Sequence, residues 1–376
     1  MLTPEYLLHV SEGAEEIAAR LHTDMMKRVV SRIIQRMNDG RDYMLTAADK
    51  WRLQVLIEAG YLRDDLIKEI SIALGREQTE IKQAFEDAGV KALDYDDRIY
   101  RAVGLTPDKM SPYMIRLMQR NYEATLHDWY NFTATTAGEA NQLFIETMDT
   151  IYNRVMTGGV GYIEAFTEAI NDLAKTGIII QYPTGHKDTI ETATLRCVRT
   201  GVSQASAQIQ LARMDEMGVD LVIVSSHMGA RPSHQVWQGK IYSRSGKSRK
   251  YADFVESTGY GTGEGLCGWN CRHNFSPYFE GMPNPFERYN DKENVELYEN
   301  TQIQRRMERN IRKTKRENEV LLSAAGEADQ ETAKAINEHR KAIRTRLKNQ
   351  KDAYYAFCEE NNLRPLEERM RIARRK

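Results

Sequence analysis

The sequence predicts a mainly α protein with a multi-helix N-terminal domain, a small α+β module and a charged helical C-terminal arm. Three observations carry this. Apolar residues recur at helical spacing through most of the first 218 positions. A short β-branched run and a crowd of glycines then break that pattern, and from Phe286 onward the chain is charged and almost free of Gly and Pro. A chain of 376 residues can bury a sizeable core, and 41% apolar with 28% charged residues suits a soluble, helix-rich protein. The segments read as a helical N-terminal domain (1–157), a hinge with a short helix (158–186), an α+β module (187–285) and the arm (286–376).

Taken in order, Ile17, Leu21, Met25, Val29, Ile33 and Met37 stand at helical spacing, and Asn38-Asp39-Gly40 stops them. A second helix starts at Thr46, with Asp49 three residues on as an approximate capping box. It carries Trp51, Val55 and Ala59 and ends at Gly60, and two further helices (64–74 and 77–88) are closed by Gly75 and Gly89. Thr106-Pro107 and Ser111-Pro112 each set a capping hydroxyl before a proline at the first helical position, so both predict helix starts. Helices follow over 112–132, 140–156 and 162–175, with the Thr157–Gly161 break between the last two. In the long helix over 188–217, Val198, Val202, Ala205, Ile209 and Ala212 repeat every seven residues, and Gly218 caps it. Residues 219–224 and 239–242 read as strands, and the arm as one helix or as a hairpin broken near Ala324-Ala325-Gly326.

Formal net charge is −1, which marks no general polyanion binder, but the balance is uneven. From Thr301 on, Lys and Arg exceed Asp and Glu by about eight, leaving the rest acidic by about nine. A basic tail on an acidic body points to a negatively charged partner for the tail. The first 16 residues have neither a basic start nor an apolar run, so the sequence predicts no signal peptide. No apolar stretch approaches the roughly 20 residues a membrane span requires. Four cysteines make no disulfide scaffold, and Cys197 and Cys358 read as buried thiols.

The densest chemistry lies between Ser226 and Tyr278, which hold three of eight histidines, two of four cysteines and two of four tryptophans. His227, His234, Cys267, Cys271 and His273 form a candidate zinc set, since imidazole and thiolate ligands at such spacing can complete a tetrahedral site. The competing reading packs the cysteines as small apolar residues. A third reading pairs His234 with Cys271 in a metal- or cysteine-dependent hydrolase, a nuclease or peptidase, although no Gly-x-Ser-x-Gly or His-Glu-x-x-His occurs. Ser245-Gly246-Lys247-Ser248 imitates the end of a phosphate loop, but Ile241 replaces its leading glycine. Arg305, Arg306, Arg309, Arg312, Lys313, Lys315 and Arg316, with a basic end over 371–376, are candidate DNA phosphate contacts, weighed against a solvated helix pairing with its own glutamates.

The wording "SSHMGARPSHQVWQGKIY" (225–242) and "GYGTGEGLCGWNCRHNFSPYFEGM" (259–282) resembles the phage minor capsid protein 2 family, within the wider group of phage head-morphogenesis or minor head proteins. Thr194-Leu195-Arg196 and the strand over 219–224 sit where that family places them, so the resemblance covers most of the chain. Arg231, Trp237, Gly239, Gly265, Trp269, Asn270 and Arg272 are the motif's structural residues. The wider group ends in a Pro-x-His-x-x-Cys-Arg element, and Asn270-Cys271-Arg272-His273 takes that place here without the upstream cysteine pair of some relatives. The resemblance implies a virion structural protein made in the host cytoplasm. It implies a non-enzyme that acts with the portal and other head proteins, with packaged DNA as a further partner and neither membrane nor small-molecule substrate.

Overall fold

The computed structural model describes residues 1–38, 48–182 and 184–372. Helices dominate because the apolar spacing runs further than the punctuation suggests. They are α1 (Pro4–His9), α2 (Glu12–Asn38), α3 (Ala48–Ala102), α4 (Pro112–Met156), α5 (Tyr162–Thr176), α6 (Ile190–Glu216), α7 (Pro232–Gln235), α8 (Phe254–Thr258), α9 (Asp291–Glu327) and α10 (Gln330–Glu360). Short strands lie between them: β1 (Ile180–Gln181), β2 (Lys187–Asp188), β3 (Leu221–Val224), β4 (Ile241–Ser243) and β5 (Phe275–Pro277). The start expected at Thr46 and part of the stop after Asn38 lie outside the described residues.

Four expected breaks, three in α3 and one in α4, are absent. α3 runs through Gly60, Gly75 and Gly89, and α4 runs through Gly138. A helical glycine costs about 1 kcal/mol against alanine, less than one well-buried apolar side chain returns. Trp51, Val55, Leu62, Leu66 and Ile70 are all buried along the same face of α3, which outweighs its glycines. In α4 the hydroxyls of Thr133, Thr135 and Thr136 bond carbonyls one turn back, at Tyr130, Asn131 and Phe132, so they find partners within the helix. Conversely, Thr106-Pro107 starts no helix. Pro112 follows within five residues and forces Ser111 out of the helical region, leaving room for barely one turn. Helix α4 does start at Ser111-Pro112, where the Ser111 hydroxyl accepts from the Met114 amide at 3.4 Å.

The chain forms two units that interleave along its length. One comprises Met1–Glu15, Glu77–Trp129 and Ala193–Gln302. Here the heptad seam of α6 is buried as its spacing predicts: Val198, Val202 and Ala205 pack with Phe85, Ala88 and Ala92 of α3, and Ile209 and Ala212 with Met114 and Leu117 of α4. A three-stranded antiparallel sheet, order β4-β3-β5, pairs Leu221 with Ser243 and Val224 with Phe275. Val222, Val224, Tyr242, Phe254, Leu266 and Phe275 form its apolar side, together with Tyr100, Ala207 and Met214.

The other unit comprises Glu16–Arg76, Tyr130–Thr192 and Ile303–Lys376. Leu21, Met25, Val29, Ile33 and Met37 of α2 are all buried, and Trp51 stacks on Tyr152 at 5.6 Å. Within it α9 from Ile303 onward and α10 form a hairpin, with Asp329 capping α10 through the amides of Glu331 and Thr332. The break therefore falls at Ala328-Asp329, just beyond Gly326, because Asp329 can cap a new helix and Gly326 needs no special conformation. Tyr354 bonds Glu308, and Arg346 pairs with Glu317, which sets the hairpin antiparallel. No helix among the described residues is long and apolar enough to cross a membrane.

Candidate functional site

Three short elements bring distant residues together on the first unit. Pro232 opens α7 and places His234, which is buried, against Trp237. The glycine-rich loop after α8 then folds into a knot that only glycine permits at two points. A Cβ on Gly265 would lie 2.0 Å from the Gly259 carbonyl oxygen, and one on Gly268 would lie 2.4 Å from that of Gly263. Cys267 and Asn270 adopt positive φ within this knot, at 60° and 56°. These turns deliver Cys271 and His273 to the start of β5.

The result is a buried triad: His234, Cys271 and His273 present one ligand atom each, all within 4.8 Å of one another. Cys271 Sγ lies 3.7 Å from Nδ1 of His234 and 3.7 Å from Nδ1 of His273. Both imidazoles are oriented from behind. His234 Nε2–H donates to the Glu264 carbonyl at 2.8 Å, and His273 Nε2–H donates to Gln238 Oε1 at 3.0 Å. With each Nε2 carrying the proton, each Nδ1 lone pair faces the sulfur. The His273 amide also donates to Cys271 Sγ at 3.4 Å.

Burial sets the charge of this cluster. It pulls His234 down to about 4 and His273 well below the ordinary imidazole range, where the neighbouring His227 and His234 add to the effect. It also pushes the thiols of Cys267 and Cys271 up. A cysteine nucleophile needs the reverse, a lowered thiol pKa beside a cationic imidazole, so burial works against a Cys271 nucleophile.

The other residues singled out by sequence surround the triad. Cys267 Sγ turns to the His273 carbonyl, 3.7 Å away. His227 stacks on His273 with ring centroids 4.3 Å apart, but its Nδ1 lies 3.0 Å from the Met228 carbonyl. Trp237 closes the cluster, with ring centroids 4.5 Å from His234 and 4.8 Å from His273. Arg231 donates to the Trp269 carbonyl at 2.9 Å, the Trp269 ring packs over Gly263, and Arg272 approaches His227 at 3.5 Å. The Gly239 amide donates to the Val224 carbonyl at 3.1 Å.

Two residues that the sequence reading passed over matter as much. Gln238 fixes the His273 ring and also accepts from the His227 amide at 3.1 Å. Asn294, in the first turn of α9, clamps the motif loop by accepting from the Ala230 amide and donating to the Ala230 carbonyl, both at 2.9 Å. Gln238 lies inside the quoted motif, where an amide beside a candidate ligand is a usable signal. Asn294 sits in a charged helix start and has none.

The seven basic candidates of α9 divide by face. Arg306, Arg309 and Lys313 are exposed, Arg305 and Lys315 are half-buried, and Arg312 and Arg316 are buried. Arg316 donates to Glu191 at 2.5 Å and Arg312 lies 3.9 Å from the same oxygen. His22 Nδ1–H donates to the other oxygen of Glu191 at 2.9 Å, while His22 Nε2 accepts from the Ile178 amide at 3.1 Å. Lys315 reaches the Met370 carbonyl, and residues 373–376 of the basic end lie outside the described residues.

Comparison with known proteins places this geometry in context. A family model described as phage minor capsid protein 2 matches residues 2–353. A protein of Lactococcus phage LL-H named "Structural protein" is 27% identical over 290 residues, covering 71% of this chain and 76% of that one. No solved structure matches.

Proposed function

This chain belongs to the phage minor capsid protein 2 family, and from that membership we propose that it is a minor head component that binds the portal during head assembly and touches packaged DNA. It acts there as a structural protein of the virion, made in the host cytoplasm, with no small-molecule substrate. The observation that carries the partner assignment is an apolar stripe on α3. Leu53, Leu56, Ile57, Tyr61, Ile67 and Ile72 are 43% to 61% exposed, on the side of the helix away from its buried face. Where exposed apolar side chains cluster on one side of a helix, they offer a surface for a partner. The DNA assignment rests on Arg306, Arg309 and Lys313, spaced three and four apart and therefore on one exposed helix face.

The test pairs the full chain with the purified portal protein of the same phage. Co-sedimentation is expected for the wild type and should fall at least about tenfold for Leu53→Glu with Leu56→Glu, at unchanged helical content. Equal binding by this variant overturns the portal assignment. Binding to duplex DNA should weaken steeply between low and physiological salt, with a slope reduced by about 1 for each of Arg306→Gln and Lys313→Gln. A flat salt response overturns the DNA contact.

A further inference from the structure

We infer that His234 Nδ1, Cys271 Sγ and His273 Nδ1 form a metal site for a zinc-class divalent cation, which staples the glycine-rich loop to the small sheet. The inference rests on this cluster alone and is independent of the portal assignment.

The spacing supports it. Zinc bonds of about 2.1 Å to nitrogen and about 2.3 Å to sulfur, opened to a tetrahedral angle, put nitrogen and sulfur about 3.6 Å apart. Both nitrogen–sulfur separations here are 3.7 Å. A thiol–imidazole hydrogen bond accounts for one such separation. It does not account for two, because Cys271 has one hydrogen and both Nδ1 atoms are lone-pair acceptors once their Nε2 protons are engaged. A cation satisfies the sulfur and both nitrogens together.

The surrounding groups have the form that metal ligands require. A ligating histidine donates its remote N–H to a carbonyl or similar acceptor, and Glu264 and Gln238 supply those acceptors. The sulfur takes the His273 amide hydrogen, a bond that a thiolate strengthens. Two imidazoles and one thiolate are a borderline-soft set that favours zinc over magnesium or calcium. Of the five residues the sequence offered, three converge. His227 is turned to the Met228 carbonyl, and Cys267 is turned to the His273 carbonyl. Binding forms the metal–sulfur and two metal–nitrogen bonds, breaks the Cys271 S–H bond and releases that proton to water.

The experiment uses the full chain, expressed with zinc in the medium. Elemental analysis should find about one zinc per chain, and cobalt added after chelation should give thiolate-to-cobalt charge-transfer absorption. Cys271→Ser and His273→Gln should lose both signals, Gln238→Leu should weaken cobalt binding about 10–100-fold, and Cys197→Ala should leave it unchanged. Should the ligand variants fail to fold, the cobalt titration of the wild type decides alone. A wild type with no bound zinc and no charge-transfer band overturns the site, as does a folded Cys271→Ser variant that retains its metal.

Discussion

Two buried histidine clusters, one in each unit, solve the same physical problem in opposite ways. His22 sits among charges: its Nδ1–H serves Glu191, whose carboxylate also takes Arg316. His234 and His273 bond directly to neutral groups, with a carbonyl and an amide behind them and a sulfur in front. In the first cluster every acceptor atom of Glu191 and His22 meets a donor. Burial alone would raise Glu191, but Arg316, His22 and Arg312 outweigh it and hold the carboxyl well below its ordinary range. In the second, lone pairs converge with too few protons to fill them. A buried histidine is thus a structural part where its partners complement it and a binding group where they leave an electron pair over.

The largest effect should come from breaking the charged cluster. Arg316→Met leaves Glu191 buried with only Arg312 and His22 for compensation, and should cost about 3 kcal/mol in chemical denaturation. Adding Glu191→Leu to that variant should restore most of the loss. A single variant as stable as the wild type would remove the distinction between the clusters.

Gly265→Ala comes next and tests the neutral cluster's scaffold. The added methyl meets the Gly259 carbonyl oxygen, so about 1–3 kcal/mol should be lost, with His234 and Cys271 displaced. Unchanged stability and unchanged metal content would show that the loop does not position the triad.

The smallest effect is on pH dependence and concerns the charged cluster. Burial and the nearby Arg316 lower the folded pKa of His22 below 6.5. The unfolded chain therefore takes up the proton first. His22's contribution is complete above pH 6.5 and is lost as pH falls below it, at no more than about 1.4 kcal/mol per pH unit. His22→Gln should flatten part of the stability loss between pH 6.5 and 5. An identical slope in the variant would mean that His22 does not titrate in this range.

How far the sequence could be read depended on whether a signal was local. The α6 seam, the start at Ser111-Pro112 and the strand before Ser225 were legible because spacing and capping are properties of neighbouring residues. The continuity of α3 was not, since the burial of Leu62 and Leu66 that offsets Gly60 is settled by tertiary packing. Within the candidate site, residue types and spacing nominated five ligands. Which three converge depends on positive φ at Cys267 and Asn270, a conformation those residue types only weakly announce. The split of the α9 cations between solvent and Glu191 was invisible for the same reason: a charge run does not reveal a carboxylate more than a hundred positions away.

The Asn294 clamp has a consequence for how such chains diversify. The charged arm begins near residue 286, a natural seam at which to exchange it for another segment. Yet its first turn carries the side chain that completes the hydrogen bonding of Ala230, more than sixty positions upstream. An exchange at that seam would leave a buried amide and carbonyl without partners unless the incoming segment brought an asparagine to the same place. The motif loop and the opening of α9 therefore complete each other's buried hydrogen bonding, and neither can be replaced without the other.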